Sequence, residues 1–251
     1  MSNFKVLHSS FACDPSMGSE PYVGWNWAKM LADDYEVHVI TRAHHKSSIV
    51  KDPLSKKVVF HYFDLFGCEN LDHRSKFMKP YYLLWQFFVL FKVFNLHRRL
   101  KFSLVHHITY NNLDVPGYLW LLPKVHFVWG PLGGGQVPDK CFKGLYKKGW
   151  PKEVAREWLK KFARYNPIVH FAVRKSSLVL FANGDTKKRL NATLMKRSYS
   201  MLETAIDLDK VVGLRKSSHK KGTLKVLWVG QVEPRKALRM VVDAIAVGLS
   251  T

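Results

Sequence analysis

Residues Phe4–Trp27 read FKVLHSSFACDPSMGSEPYVGWNW, and the fold class follows from this stretch. A short apolar run, Lys5–His8, leads into a turn rich in Pro, Ser and Gly. A glycine-bearing loop and a helical pattern then occupy Gly18–Leu31. Strand, loop and helix in that order form the opening unit of a parallel sheet. The order recurs along the chain. Tyr35–Thr41 (YEVHVIT), Lys57–Phe63 (KVVFHYF), Ser103–Ile108 (SLVHHI), Lys124–Trp129 (KVHFVW) and Ser177–Ala182 (SLVLFA) all read as short apolar strands. Helices are expected over Pro80–Leu100 and Asp185–Leu194. Near-continuous apolar strands separated by helices predict an α/β protein, its parallel sheet covered by helices on both faces. Ligands of such sheets gather at the carboxyl ends of the strands.

Composition narrows the partners. With 47% hydrophobic and 24% charged residues among 251, the chain is neither disordered, collagen-like nor a coiled-coil rod. Its 40 Lys+Arg against 19 Asp+Glu leave a net charge of +21, which favours anionic partners. Much of the excess lies in Lys140–Lys225, with 22 basic and 6 acidic residues. That stretch reads either as a solvated basic helical face or as an attractor for an anionic membrane surface. No zinc-finger spacing or RNA-binding aromatic signature accompanies the charge, so no nucleic-acid partner is expected. Cys13, Cys68 and Cys141 are widely spaced and fit a reducing compartment. The N-terminus lacks a secretory pattern. The longest apolar run, Pro80–Phe91, has about twelve residues against the ~20 of a spanning helix. It reads as a core helix or as an interfacial one flanked by Lys76, Lys79, Lys92, Arg98, Arg99 and Lys101. A cytoplasmic protein, with a peripheral place at the inner face of the membrane, is the expected localisation.

At Leu214–Lys221 the chain turns polar and basic. The expected division is a first domain over 1–213, a basic linker over 214–222 and the start of a second domain over 223–251. The last piece holds a strand, Thr223–Gly230 (TLKVLWVG), and a helix, Ala237–Val247. One strand and one helix cannot bury a core of their own.

Four stretches carry candidate chemistry. Asp14–Pro21 follows the first strand, and Gly18 and Ser19 can bring backbone N–H groups to an anion at a helix N-terminus. His106 and His107 close another strand. Either could serve as a general base or bind a sugar hydroxyl, but adjacent strand residues face opposite sides. The loop Gly130–Gln136, with Gly133, Gly134 and Gly135 in a row, allows close approach of a ligand to backbone. Gly230–Lys236 again joins a strand to a helix, and Arg235 and Lys236 could pair with a diphosphate.

Together these stretches resemble the GT-B glycosyltransferases of family 4. SFACDPSMGSEPYVGWNWA is similar to the family's N-terminal glycine-loop segment, and WGPLGGGQ to a segment of one of its branches. FANGDTKKRL and ETAID look like the end of the first domain and the segment before the crossover. LKVLWVGQVEPRKAL resembles the opening of the donor domain. The resemblance implies two Rossmann-like domains, the second represented here by its first strand and helix. It implies retaining transfer of a hexose from a nucleotide sugar to a glycan or lipid-linked acceptor, in polysaccharide or glycolipid biosynthesis. Neither a metal nor a cofactor beyond the sugar donor is expected. Gly18, Ser19, Arg235 and Lys236 would then meet the donor diphosphate. His106 would be the catalytic residue, and His107 with Gly133–Gly135 would lie toward the acceptor. Gln231, Ala237, Ala205 and Tyr22 depart from the family pattern, and the donor domain's E-x7-E segment is absent. Impaired transfer is therefore expected of this chain. The alternatives are a glycan- or lipid-binding remnant, or one half of a two-chain transferase.

Overall fold

The computed structural model describes residues 4–69, 71, 75–110, 112–163, 165–190, 195–204, 225–230 and 232–250. Seven strands occur among them: β1 (Lys5–Ser9), β2 (Glu36–Thr41), β3 (Val59–Tyr62), β4 (Leu104–His107), β5 (His126–Leu132), β6 (Leu178–Phe181) and β7 (Ser198–Ser200). The helices are α1 (Glu20–Leu31), α2 (Lys46–Ile49), α3 (Met78–Leu100), α4 (Lys143–Tyr146), α5 (Trp150–Ala163), α6 (Pro167–Lys175), α7 (Gly184–Arg189) and α8 (Leu238–Ser250). The strands form one sheet in the order β3-β2-β1-β4-β5-β6-β7. Every pairing is parallel. The α/β, Rossmann-like parallel sheet expected from the alternation is present.

Alternation along the strands assigns side chains to two cores. On one face, Leu7, Ile40, Val105 and Trp129 pack with Tyr81, Tyr82, Trp85, Val89 and Val93 of α3 and with Val169, Ala172 and Val173 of α6. On the other, Val37 and Val39 pack with Trp25 and Ala28 of α1 and with Ile49. Local chemistry sets the helix boundaries. Asn166 Oδ1 accepts the Ile168 N–H at 2.9 Å and Pro167 opens α6. Asn183 Oδ1 accepts the Thr186 N–H at 2.9 Å at the start of α7. Both are N-caps that satisfy an otherwise orphaned donor.

A buried ion pair fastens the chain beyond β3. Arg42 Nε lies 3.0 Å from Asp64 Oδ1, and both side chains are 2% exposed. The guanidinium also donates to the carbonyls of Cys68 and Leu71 and lies over the rings of Phe11 and Tyr81. The Ala43 N–H and the Tyr81 hydroxyl donate to the same carboxylate. A charge this deep is tolerated because its donors are met.

The chain divides into two units, Met1–Gly135 with Lys160–Thr204, and Gln136–Leu159 with Ala205–Thr251. The first holds the whole sheet. In the second, the described residues contain α4, the greater part of α5, a short 3-10 turn at Pro234–Lys236, and α8. The strand expected at Thr223–Gly230 does not form in the described part, 225–230, which pairs with no other strand. An isolated strand has no ladder partner to satisfy its backbone. The expected linker, 214–222, lies outside the described residues, as do positions 191–194 of the helix expected to reach Leu194. Ala237 ends the 3-10 turn in the left-handed region, φ 54°. That conformation costs an L-residue roughly 1–2 kcal/mol.

Asp64→Ala leaves the Arg42 charge buried without its partner. A loss of about 3–5 kcal/mol is expected, read as a lower urea midpoint with an unchanged slope.

Candidate functional site

The sheet reverses its winding between β1 and β4, because β2 and β3 lie to one side and β5, β6 and β7 to the other. A crevice at the carboxyl ends of two such strands is where doubly wound sheets place ligands. Four sequence-distant segments converge there. Glu20, in the first turn of α1, accepts the Tyr110 N–H at 3.1 Å on Oε2. Asn112, just past β4, forms a parallel bridge with Gly133. A Cβ at Gly133 would sit 3.7 Å from Glu203 Oε1, so Glu203 closes the group. Burial raises the Glu20 carboxyl above the ordinary range, opposed by the Tyr110 N–H. Burial also raises Glu203, and the Glu20 charge pushes it the same way.

Two of the six positive-φ non-glycine residues among the described residues lie in the same place. Ser19 adopts φ 60°, ψ −137°, and Tyr110 adopts φ 56°. Both conformations are sparsely populated by L-residues, and strain of this kind concentrates at functional sites. Behind them, the Asp14 carboxylate is buried, which would raise it. Hydrogen bonds from Ser48, Ser16 and His45 outweigh that and hold it below its ordinary value.

The predicted site residues separate. Gly18 and Ser19 are exposed at the start of α1, but Pro21 in the first turn supplies no N–H. Gly133 and Gly134 line the crevice. Gly135 is buried, its N–H donating to Thr186 Oγ1 at 3.0 Å, while Thr186 Oγ1 donates to Asn183 Oδ1 at 2.8 Å. The Lys160 ammonium donates to the Gly134 carbonyl. The glycine run is thus a held turn.

His106 and His107 point to opposite faces and both are buried. His106 lies under α1, edge-on to His8 and Trp27. Its Nε2–H donates to the Gly130 carbonyl at 2.7 Å, and burial lowers its pKa to about 4. His107 faces α3 with Tyr82 Oη 3.2 Å from its Nε2, and burial lowers it to about 3. Arg235 and Lys236 belong to the second unit, where the Lys236 carbonyl accepts the Trp228 indole N–H at 3.2 Å. Among the described residues, no group of three His, Cys, Asp or Glu could hold a metal ion.

Glu203, Asn112, Tyr110 and Thr186 were not singled out as site residues by sequence. Glu20 carried a signal as the third member of Gly-Ser-Glu before a helix, Tyr110 and Asn112 lie in the stretch that follows the paired histidines, and Thr186 and Glu203 lie within FANGDTKKRL and ETAID.

No protein-family model matches the chain, and no curated protein matches it. Its fold is similar to that of Glycyrrhiza uralensis UGT73P12, solved with glycyrrhetinic acid 3-O-monoglucuronide. The identity is 12% and the TM-score 0.44, over 78% of this chain and 48% of that one. It is also similar to sucrose-phosphate synthase from Thermosynechococcus elongatus, at 15% identity and TM-score 0.42, over 79% and 47%. Both neighbours are GT-B glycosyltransferases, and this chain spans about half the length of each. Likenesses this distant carry no function across.

Gly135→Ala places a Cβ 2.4 Å from the Thr186 Cα, and a loss of stability is expected from calorimetry. Gly18→Ala meets no atom within 4 Å. It should melt like the parent, so any loss of ligand binding in it reports on the crevice. The buried histidines predict acid sensitivity. Above pH ~6.5 they are neutral in both states and contribute no pH dependence. Between ~6.5 and about 4, the value for His106, the unfolded chain takes up protons that the folded one cannot. Stability should fall as pH falls through that window, and more gently in His106→Gln, as followed by urea titrations at each pH.

Proposed function

We propose that this chain carries the acceptor-side domain of a nucleotide-sugar-dependent glycosyltransferase of the family 4 type. It would transfer a hexose, with retention, to a glycan or lipid-linked acceptor. The observation that supports the reading best is the convergence of the α1 start, Tyr110, Asn112, Gly133–Gly134 and Glu203 at the β1/β4 switch point. The α1 start, the glycine loop and Glu203 lie in segments that carry the sequence resemblance.

In the proposed reaction the bond between the anomeric carbon and the diphosphate oxygen breaks. The acceptor hydroxyl oxygen bonds to that carbon, and its proton leaves on the released nucleotide diphosphate. Exposed backbone at Gly18 and Ser19, at the positive end of α1, would offset charge on the leaving group. By the sequence resemblance alone, Arg235 and Lys236 would meet the same diphosphate. Glu20 and Glu203 would accept hydrogen bonds from acceptor hydroxyls, which neutral amides do less strongly. His106 enters as a positioning residue. With its Nε2–H committed to Gly130, it fixes the start of the Gly130–Gly135 turn. No bound metal is invoked.

The test pairs calorimetric titration of glycan and lipid-linked acceptors with transfer of labelled hexose from UDP- and GDP-sugars. Acceptor binding is expected to weaken about tenfold, near one charged hydrogen bond, in Glu203→Gln and in Glu20→Gln. His106→Gln should lower transfer without weakening acceptor binding to the same extent. Acceptor binding without transfer would make the chain a binding remnant or half of a two-chain enzyme. If no sugar or acceptor binds the folded protein, the reading is wrong.

A further inference from the structure

Helix α3 is apolar on more sides than the protein covers. Its inner face, with Tyr81, Tyr82, Trp85, Val89 and Val93, is buried in the core. On its outer face Leu83, Leu84, Phe87, Phe88, Phe91 and Phe94 are 39–54% exposed. Phe87 is the centre of this patch, in ring contact with Phe88, Phe91 and Tyr118 at 5.3–5.7 Å. A surface helix of a globular protein normally turns polar side chains outward, and a contiguous exposed aromatic patch marks an interaction site.

The charges around the patch identify the partner. Within its 23 residues α3 carries no Asp or Glu. Lys79 stands at one end, Lys92 in the middle and Arg98 and Arg99 at the other end, all exposed. Aromatic and leucine side chains on one face with Lys and Arg along its edges suit a helix lying in the plane of an anionic bilayer. The rings enter the acyl boundary, and the long basic side chains reach back to the phosphates. No helix among the described residues is long and apolar enough to cross a membrane.

We propose that the outer face of α3 docks this protein onto an anionic lipid surface, in the plane of the membrane. The proposal stands apart from the transferase reading, and its test uses neither nucleotide sugar nor acceptor.

The experiment is flotation of the full chain with phosphatidylcholine vesicles, and with vesicles in which phosphatidylserine replaces about a third of the lipid. Binding is expected to be at least about tenfold tighter to the anionic vesicles and to weaken as salt shortens the Debye length. Phe88→Ser/Phe91→Ser should lose binding to both. Lys92→Glu/Arg98→Glu/Arg99→Glu should lose the anionic preference. Both variants alter exposed positions, and circular dichroism melts confirm that they fold. Phe91→Trp should show a blue-shifted emission on the anionic vesicles. Absence of flotation, or equal flotation of parent and Phe88→Ser/Phe91→Ser, would overturn the proposal. So would a dimer in solution that this phenylalanine variant dissociates, since the face would then belong to a second copy.

Discussion

The parallel pairing of β1 with β2 on one side and β4 on the other is the constraint on which the rest depends. Parallel neighbours cannot be joined by a tight turn, so each connection must cross over a face of the sheet. Here the crossovers put α1 over one face and α3 over the other. Once both faces are covered, every β1 and β4 side chain except those of Lys5 and Leu104 is buried, including three histidines that must then be neutral or paired. The only outlets left near the centre of the sheet are the ends of the strands. The crevice between the ends of β1 and β4 is therefore a by-product of the winding, available before any particular chemistry is installed in it.

What occupies that crevice departs from local preference. A serine and a tyrosine hold positive φ values, and two glutamates lie close enough for one charge to raise the other's pKa. Natural sequences break local rules mainly where something other than stability is selected. Elsewhere the same chain follows them at its helix starts but not throughout its backbone. Asn166–Pro167 and Asn183 open helices as capping rules require, while Lys101, Lys124, Lys147 and Ala237 also hold positive φ.

The sheet was legible because its strands are apolar runs of four to seven residues bounded by turn chemistry, and six of the seven were located. The seventh, Ser198–Ser200, is three polar residues at the sheet edge, and offers neither an apolar run nor a length to read. Helices α5 and α6 lie in the basic stretch and are strongly amphipathic, but the basic charge was read there in place of their apolar spacing. The site was only partly legible. Glycine loops announce themselves in sequence. The Glu20–Glu203 approach does not, because it joins residues far apart in the chain through a crossover geometry that no local pattern encodes. Adjacent histidines announced opposite faces, but not that both faces are closed.

Thr186 deserves its place beside the more conspicuous glycines. Its hydroxyl accepts a hydrogen bond from the Gly135 N–H and donates one to Asn183, the residue that caps α7. A run of three glycines left to itself samples a wide range of shapes, and a ligand settling on it would have to arrest them all. Tied through one oxygen to a capped helix, the run arrives already arrested. Whatever binds at Gly133 and Gly134 meets a preorganised surface, and little ordering entropy remains to be lost on contact.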